Sequence, residues 1–454
     1  MALGGGEKRA VGLDVVVLER MMNEVRSLRE DVRDEEDRDS EPADHVRAKD
    51  NMDTRAPSCQ PSSSRLVLGA MPFDFDRVID RRTSDSNKWR KFPPDVLPLW
   101  VADMDFPSPP AVVQALRARV EHGFFGYLVE KPELQEAVAE RMTKRYGWRV
   151  SPEAVMPLPG VIAGFNLALR ALTSPGEGLL VQTPVYPPIL RAAGNHGLTR
   201  DEHALRRGDD GRYTVDLDAF TRALGPRTRA FLLCNPHNPV GRVFDRAELE
   251  GMAAACTRRD VWIIADEIHC DLLLDGRRHV PIATLSPEIE ARTVTLMAPS
   301  KTFNLPGLKC AVAIVPNATV RERLTATVAD LVPKINVLGH TAAVAAYREA
   351  DPWLEELVRY LEGNRDFLLK EVPRRLPGVT LAAPEATYLA WLDCRGARIA
   401  GDDPHTFFLE RARVALNDGR LFGAGGDGFV RLNFGCPRAL LTEGLERLAR
   451  ALAG

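Results

Sequence analysis

The chain has no strong excess of charge of either sign. Its 60 basic and 63 acidic residues leave a net charge of −3, which gives no electrostatic reason to expect nucleic acid or an anionic membrane as a partner. It also has no run of 18 or more apolar residues free of charge, so a transmembrane helix is not expected. The start of the sequence lacks a basic stretch followed by an apolar core and a small-residue cleavage site, which argues against a secretory leader. Cysteine is sparse and unpatterned. The seven cysteines are odd in number and form no Cys-x-x-Cys pair, which reads as reduced core cysteine in a cytoplasmic protein rather than a disulfide framework or a zinc site. There are no internal repeats.

What is present divides into two unequal parts. Residues 1–70 carry an acidic, highly charged run over 31–53 and a Pro/Ser-rich stretch over 55–65. Such compositions bury little apolar surface, so disorder is the expectation there. Before them, Leu18, Met21, Val25, Leu28 and Val32 recur at 3-4-3-4 spacing, one amphipathic helix too short for a convincing coiled coil. From about residue 71 onward, short apolar runs alternate with helical periodicities. Val155–Met156, 178–182, 230–233, 261–265, 294–297 and 311–315 read as buried strands, and 161–172 as a helix. A longer helical stretch over 338–372 is interrupted by Asp351-Pro352. Alternation of this kind predicts an α/β fold whose mostly parallel sheet is covered by helices on both faces. The expected division is a large domain over 111–330 and a smaller α+β domain made of 71–110 and 331–454.

Four segments carry chemistry. Lys301, in Ala-Pro-Ser-Lys-Thr-Phe-Asn-Leu (298–305), follows an apolar strand. An apolar setting favours the neutral amine, the form that attacks an aldehyde. Cys234-Asn-Pro-His-Asn-Pro-Val-Gly241 places turn residues at a strand exit, the usual position for ligand contacts in an open α/β sheet. Asp266 ends the apolar run 261–265, and a carboxylate there needs a cation. Arg431 lies inside Gly-Phe-Val-Arg-Leu-Asn-Phe (428–434), and its planar fork suits a carboxylate. Taken singly, each has a plainer reading as a turn residue or a structural ion pair.

In this order the segments resemble the fold-type I pyridoxal phosphate aminotransferase superfamily, and within it the MalY/PatB group of cystathionine β-lyase-type C–S lyases. The resemblance also rests on Leu-Pro-Leu-Trp-Val-Ala-Asp-Met-Asp-Phe (97–106), Phe-Gly-Tyr (125–127), Pro-Val-Tyr (184–186), Asp-Glu-Ile-His (266–269), Ala-Leu-Asn-Asp-Gly (415–419) and Arg-Leu-Asn-Phe-Gly-Cys-Pro-Arg (431–438). It implies a large domain with a seven-stranded-type sheet, pyridoxal 5'-phosphate as cofactor, and Lys301 as its covalent attachment point and catalytic base. It further implies Asp266 against the pyridine nitrogen, Asn238 on the ring oxygen, and Tyr186 stacked on the ring. Gly160, Val161, Ile162, Ser300 and Lys309 would hold the phosphate. Arg431 and Ala102 would hold the substrate. Tyr127 would reach the cofactor of a second subunit, making the unit a homodimer with shared sites. His269 either tunes the cofactor or packs; the two readings are even.

The activity the resemblance implies is β-elimination from cystathionine or another L-cysteine S-conjugate, giving a thiol, pyruvate and ammonia. The same residues serve an aminotransferase, or a decarboxylating or deaminating specialist of secondary metabolism. A regulatory, non-enzymatic use of the fold is disfavoured, because residues 1–70 show no helix-turn-helix. Ala386 stands where relatives usually have glycine and is expected to add a methyl near the substrate.

Overall fold

The computed structural model describes residues 73–128, 132–329, 331–399 and 403–454. The 18–32 stripe and the acidic and Pro/Ser runs lie outside them. The central element is a seven-stranded sheet. Its strands in chain order are β1 (Val155–Leu158), β2 (Gly178–Thr183), β3 (Thr199–Ala204), β4 (Thr228–Cys234), β5 (Trp262–Asp266), β6 (Thr293–Met297) and β7 (Ala311–Ile314). They lie side by side as β1-β7-β6-β5-β4-β2-β3. Pairs β3–β2–β4–β5–β6 are parallel, while β7 is antiparallel to both β6 and β1.

Apolar runs explain the interior strands. Every residue of β2, β6 and β7 is buried, as expected of strands covered on both faces. Helix α1 (Val161–Leu172) covers one face, where Phe165, Ala168 and Leu169 meet Leu179, Ile264 and Leu296. The opposite face is filled by Phe220, Phe231, Leu249, Met252 and Ile263. Six of the seven strands follow the sequence reading to within about two residues. The seventh, β3, was not foreseen. It is an edge strand with the sequence Thr-Arg-Asp-Glu-His-Ala and one buried residue, so solvent replaces the apolar pattern that identifies a strand.

A second sheet is four-stranded and antiparallel, in the order β8-β9-β11-β10. Here β8 is Thr380–Leu381, β9 Leu389–Asp393, β10 Asn417–Asp418 and β11 Phe429–Asn433. Its Leu389, Leu392, Val430 and Leu432 join a core that includes Leu357, Leu361, Leu445 and Leu448. The helical stretch predicted over 338–372 is two helices, α2 (Val337–Glu349) and α3 (Asp351–Arg375). The break falls at Asp351-Pro352, where proline occupies the first turn of the second helix and needs no N–H partner.

Register determines where the loops go. The parallel strands β2, β4, β5 and β6 end on one rim, and the reversal of β7 brings its first residues to the same rim. Ala311 lies opposite Leu158, and Val312 opposite Met297. Six connections therefore converge at the carboxyl ends of the parallel strands, where open α/β sheets form their ligand crevice.

Candidate active site

That rim encloses a cavity of about 420 Å³. Of the thirteen residues singled out in the sequence, twelve line it: Ala102, Gly160, Val161, Ile162, Tyr186 and Asn238, together with Asp266, His269, Ser300, Lys301, Lys309 and Arg431. Tyr127 does not; it is fully exposed, beside the exposed Phe124 and Phe125. Ala386 does not line the cavity either. It is wholly buried, with its N–H donating to the Gly241 carbonyl and its backbone bridged to Leu273, so its methyl adds nothing to the cavity lining and the expected intrusion on the substrate side is corrected.

Each strand end delivers a different group. β5 ends in Asp266, 4% exposed, whose Oδ1 accepts only the Ile268 N–H. Burial pushes its carboxyl up to about 7, against a smaller pull from that N–H and from Lys301. A buried acid without a cation is costly. Lys301 follows β6 in the short helix Pro299–Thr302. Burial, and then the neighbouring Arg431, lower its amine to about 8, which increases the neutral fraction a nucleophile or base requires. Its Nζ donates to the Ala102 carbonyl at 2.6 Å.

Arg431 sits on β11, where side chains alternate between the core and the cavity. Asn417 is its cross-strand neighbour and accepts from Nη2 at 2.6 Å, while Asn238 Oδ1 accepts from Nη1 at 2.8 Å. No carboxylate among the described residues pairs with it, its Nε has no partner, and burial lowers it to about 10. A buried guanidinium held by neutral amides still calls for an anion. His269 is 3% exposed with a partnerless Nδ1. Burial, then the cations Lys301 and Arg431, drive its imidazole down to about 3, so the ring is neutral.

Opposite these groups, α1 begins at Gly160 without a side-chain cap. Its first N–H groups and the helix dipole form an anion site. A Cβ at Gly160 would meet no atom within 4 Å. Lys309, in a left-handed turn at the end of the short helix Pro306–Leu308, and Ser300 complete that corner.

These observations fit pyridoxal phosphate. The cavity offers an acid with no cation bonded to it among the described residues for a protonated ring nitrogen, an amine for the aldehyde, an uncapped helix start with lysine and serine for the phosphate, and a guanidinium held only by neutral groups for an amino-acid carboxylate.

Three positioning residues escaped the sequence reading. His237 is completely buried, with Nε2 2.8 Å from the Pro184 carbonyl and Nδ1 3.1 Å from the Cys234 carbonyl. It ties the Tyr186 loop to the Asn238 loop, which also meet where the Tyr186 N–H donates to the Asn238 carbonyl. Asn417 orients Arg431, and Tyr388 donates to the Ala102 carbonyl. His237 and Asn417 lie inside motifs quoted above, but only the folded chain reveals what they touch.

The class I and II aminotransferase family matches residues 94–448. Cystathionine β-lyase PatB of Bacillus subtilis is 38% identical over 390 residues, covering 84% of this chain and 100% of PatB. A crystal structure of OvoB is 44% identical with a TM-score of 0.80, covering 84% of this chain and 100% of that one. The PLP-bound C–S lyase from Staphylococcus hominis is 30% identical with a TM-score of 0.78, covering 84% and 99%. With its fold and its site geometry, the chain belongs to the class I and II aminotransferase family, in the MalY/PatB group of cystathionine β-lyases.

Proposed function

We propose that the protein is a pyridoxal phosphate-dependent C–S β-lyase that converts an L-cysteine S-conjugate and water to a thiol, pyruvate and ammonia. The cavity groups suit amino-acid carbanion chemistry in general. What selects β-elimination is that relatives bearing cystathionine β-lyase and C–S lyase names align over 84% of the chain.

When bound, the cofactor supplies an electron-withdrawing ring that stabilises negative charge at the substrate Cα. The residues do the rest. Asp266 would meet the ring nitrogen, and that cation would favour its ionised form. Asn238 would contact the ring oxygen and Tyr186 would pack on the ring. The N–H groups of Gly160, Val161 and Ile162, with Ser300 and Lys309, would hold the phosphate. Arg431 and the 100–103 segment around Ala102 hold the substrate carboxylate and so orient the Cα–H bond. Lys301 takes the Cα proton; its value of about 8 keeps a useful neutral fraction near neutral pH. The thiolate then leaves from Cβ, and the remaining enamine takes up water to give pyruvate and ammonia.

The assembly we propose is a homodimer in which Tyr127 completes the partner's site. The full exposure of Tyr127 beside Phe124 and Phe125 supports this, since clustered exposed aromatics mark protein contacts. The two sheets support division into a cofactor domain over 111–330 and a smaller domain of 71–110 with 331–454. No helix among the described residues is long and apolar enough to cross a membrane, and reduced buried cysteines suit a cytoplasmic setting.

The deciding experiment mixes holoprotein with L-cystathionine and several cysteine S-conjugates, without a keto acid. Multiple-turnover release of thiol and pyruvate in equal amounts is the expected result. A single turnover that leaves the cofactor in its amine form, restored by a keto acid, would make the protein an aminotransferase.

A further inference from the structure

The segment 100–106 contributes Val101 and Ala102 to the cavity wall, and side chains from other parts of the chain grip its carbonyls. Asn433 Nδ2 donates to the carbonyls of Val101 at 2.7 Å and Asp103 at 2.9 Å. Lys88 Nζ donates to the Asp103 carbonyl at 2.8 Å, and Asn304 Nδ2 to those of Met104 and Phe106 at 3.0 and 2.8 Å. The wall is therefore rigid, and groups on it keep fixed positions.

Within this wall the Ala102 carbonyl faces inward and accepts twice. Lys301 Nζ donates to it at 2.6 Å, and the Tyr388 hydroxyl at 3.1 Å. Tyr388 is 1% exposed and packs edge-on to His269, with ring centroids 6.3 Å apart. Its hydroxyl has one proton to give, and gives it to this oxygen. We infer that the Ala102 carbonyl is the docking point of the Lys301 amine whenever that amine is free, and that Tyr388, by donating to the same oxygen, sets how tightly the amine is held.

The physics is a competition for one oxygen. An ammonium is held by a carbonyl more strongly than a neutral amine is. Every hold of this kind favours protonated Lys301, which cannot take a proton from Cα. A second donor on the oxygen withdraws electron density from it and weakens the grip on the ammonium. Burial, then the Asp103 charge, keep Tyr388 protonated far above its ordinary range, so the donor persists at every working pH. The other charged or titratable groups facing Lys301 are Arg431, Asp266, Lys309, Asp103 and His269. None of them touches the Ala102 oxygen. Tyr388 is thus a positioning residue, acting on the base through a shared acceptor.

This inference rests on the reading of Lys301 as the carrier of the Cα proton, though not on β-elimination. The test is Tyr388→Phe, which keeps the ring and removes the hydroxyl. Holoenzyme in D2O is given L-alanine, which has no leaving group, and Cα proton exchange is followed by NMR across pH. Wild-type enzyme exchanges the proton. In the variant the acidic limb of the profile moves to higher pH, and exchange near neutrality falls about two- to tenfold, with the alanine KM and the melting temperature unchanged. A limb that stays in place overturns the inference, as does a rise in KM alone, which would put Tyr388 on the substrate. Absence of exchange in wild type overturns it as well. Thiol release from S-methyl-L-cysteine is measured alongside; its absence with exchange intact defeats only the lyase reading.

Discussion

Asp266 and Asp271 are five residues apart, both buried, and of opposite character. Asp271 accepts from Arg141 Nη2 at 2.9 Å and Tyr146 Oη at 2.7 Å, and Arg145 Nε lies 3.2 Å away. Burial pushes its carboxyl up, but Arg141 and Arg145 outweigh that and hold it below the ordinary carboxylate range. Asp266 has one N–H and, among the described residues, no bonded cation, and burial carries it to about 7. Arg141 and Arg431 repeat the contrast. Arg141 is shared between Asp271 and Asp351, whereas Arg431 rests on amides. One cluster has its charges paired within the protein alone. The other becomes complete only when a ligand brings the missing charges. A buried charge that is paired holds a fold together, and one left unpaired marks where chemistry will be supplied from outside.

Substitutions on the two sides of this contrast should differ in kind. Lys301→Ala is expected to lower pyruvate formation by about 10⁴-fold, with thermal stability nearly intact and no cofactor retained after borohydride reduction and denaturation. Arg141→Met is expected to behave oppositely. It strips a buried carboxylate of its main cation and should cost about 3–5 kcal/mol in denaturant unfolding, while the folded fraction keeps its turnover number. If Arg141→Met instead lowers turnover at constant stability, the contrast collapses.

Arg431→Lys sharpens it. Charge remains but the planar fork is lost. The KM for a cysteine conjugate should rise about 10- to 100-fold, with a smaller change in kcat, and melting should barely move. His269→Gln gives the smallest effect, visible in its pH dependence. The folded imidazole stays neutral down to about 3, while an unfolded histidine takes up its proton near 6.5. The unfolded chain therefore binds more protons between these values, and wild type loses stability as pH falls through 6.5. The stability difference between wild type and variant should shift by about 1–2 kcal/mol in the variant's favour from about pH 8 to about pH 5.

How much of this could be read in advance follows from where each signal resides. Asp266 ends an apolar strand and Lys301 and Asn238 lie in the short segments that follow two others, and a polar residue just past a buried run is conspicuous without coordinates. Arg431 stands out for the same reason, as a charge inside an apolar segment. Strand β3 was invisible because most of its side chains face solvent and its one buried residue is a histidine. Asn417 and Tyr388 act through cross-strand register and through a backbone oxygen on a segment nearly three hundred residues from Tyr388, and no local pattern encodes either relation. Ala386 was misjudged because a motif gives the neighbourhood of a residue but not the direction of its methyl. His237 looked like part of a turn, yet its ring joins two loops from inside.

The reversal of β7 against β6 has a further consequence. Because β7 runs back beside β6, the connection from Met297 to Ala311 never leaves the rim, and it carries Ser300, Lys301 and Lys309 in one short span. A crossover to a parallel strand would have needed a helix on one face and separated these groups. The span is also anchored mid-course, where Asn336 Nδ2 donates to the Leu308 carbonyl at 2.9 Å and a Cβ at Gly339 would come within 2.4 Å of that oxygen. Surface loops elsewhere absorb added residues at little cost. Here a single inserted residue would change the distance between Lys301 and Lys309, so the length of this connection is a heritable ruler for the cavity.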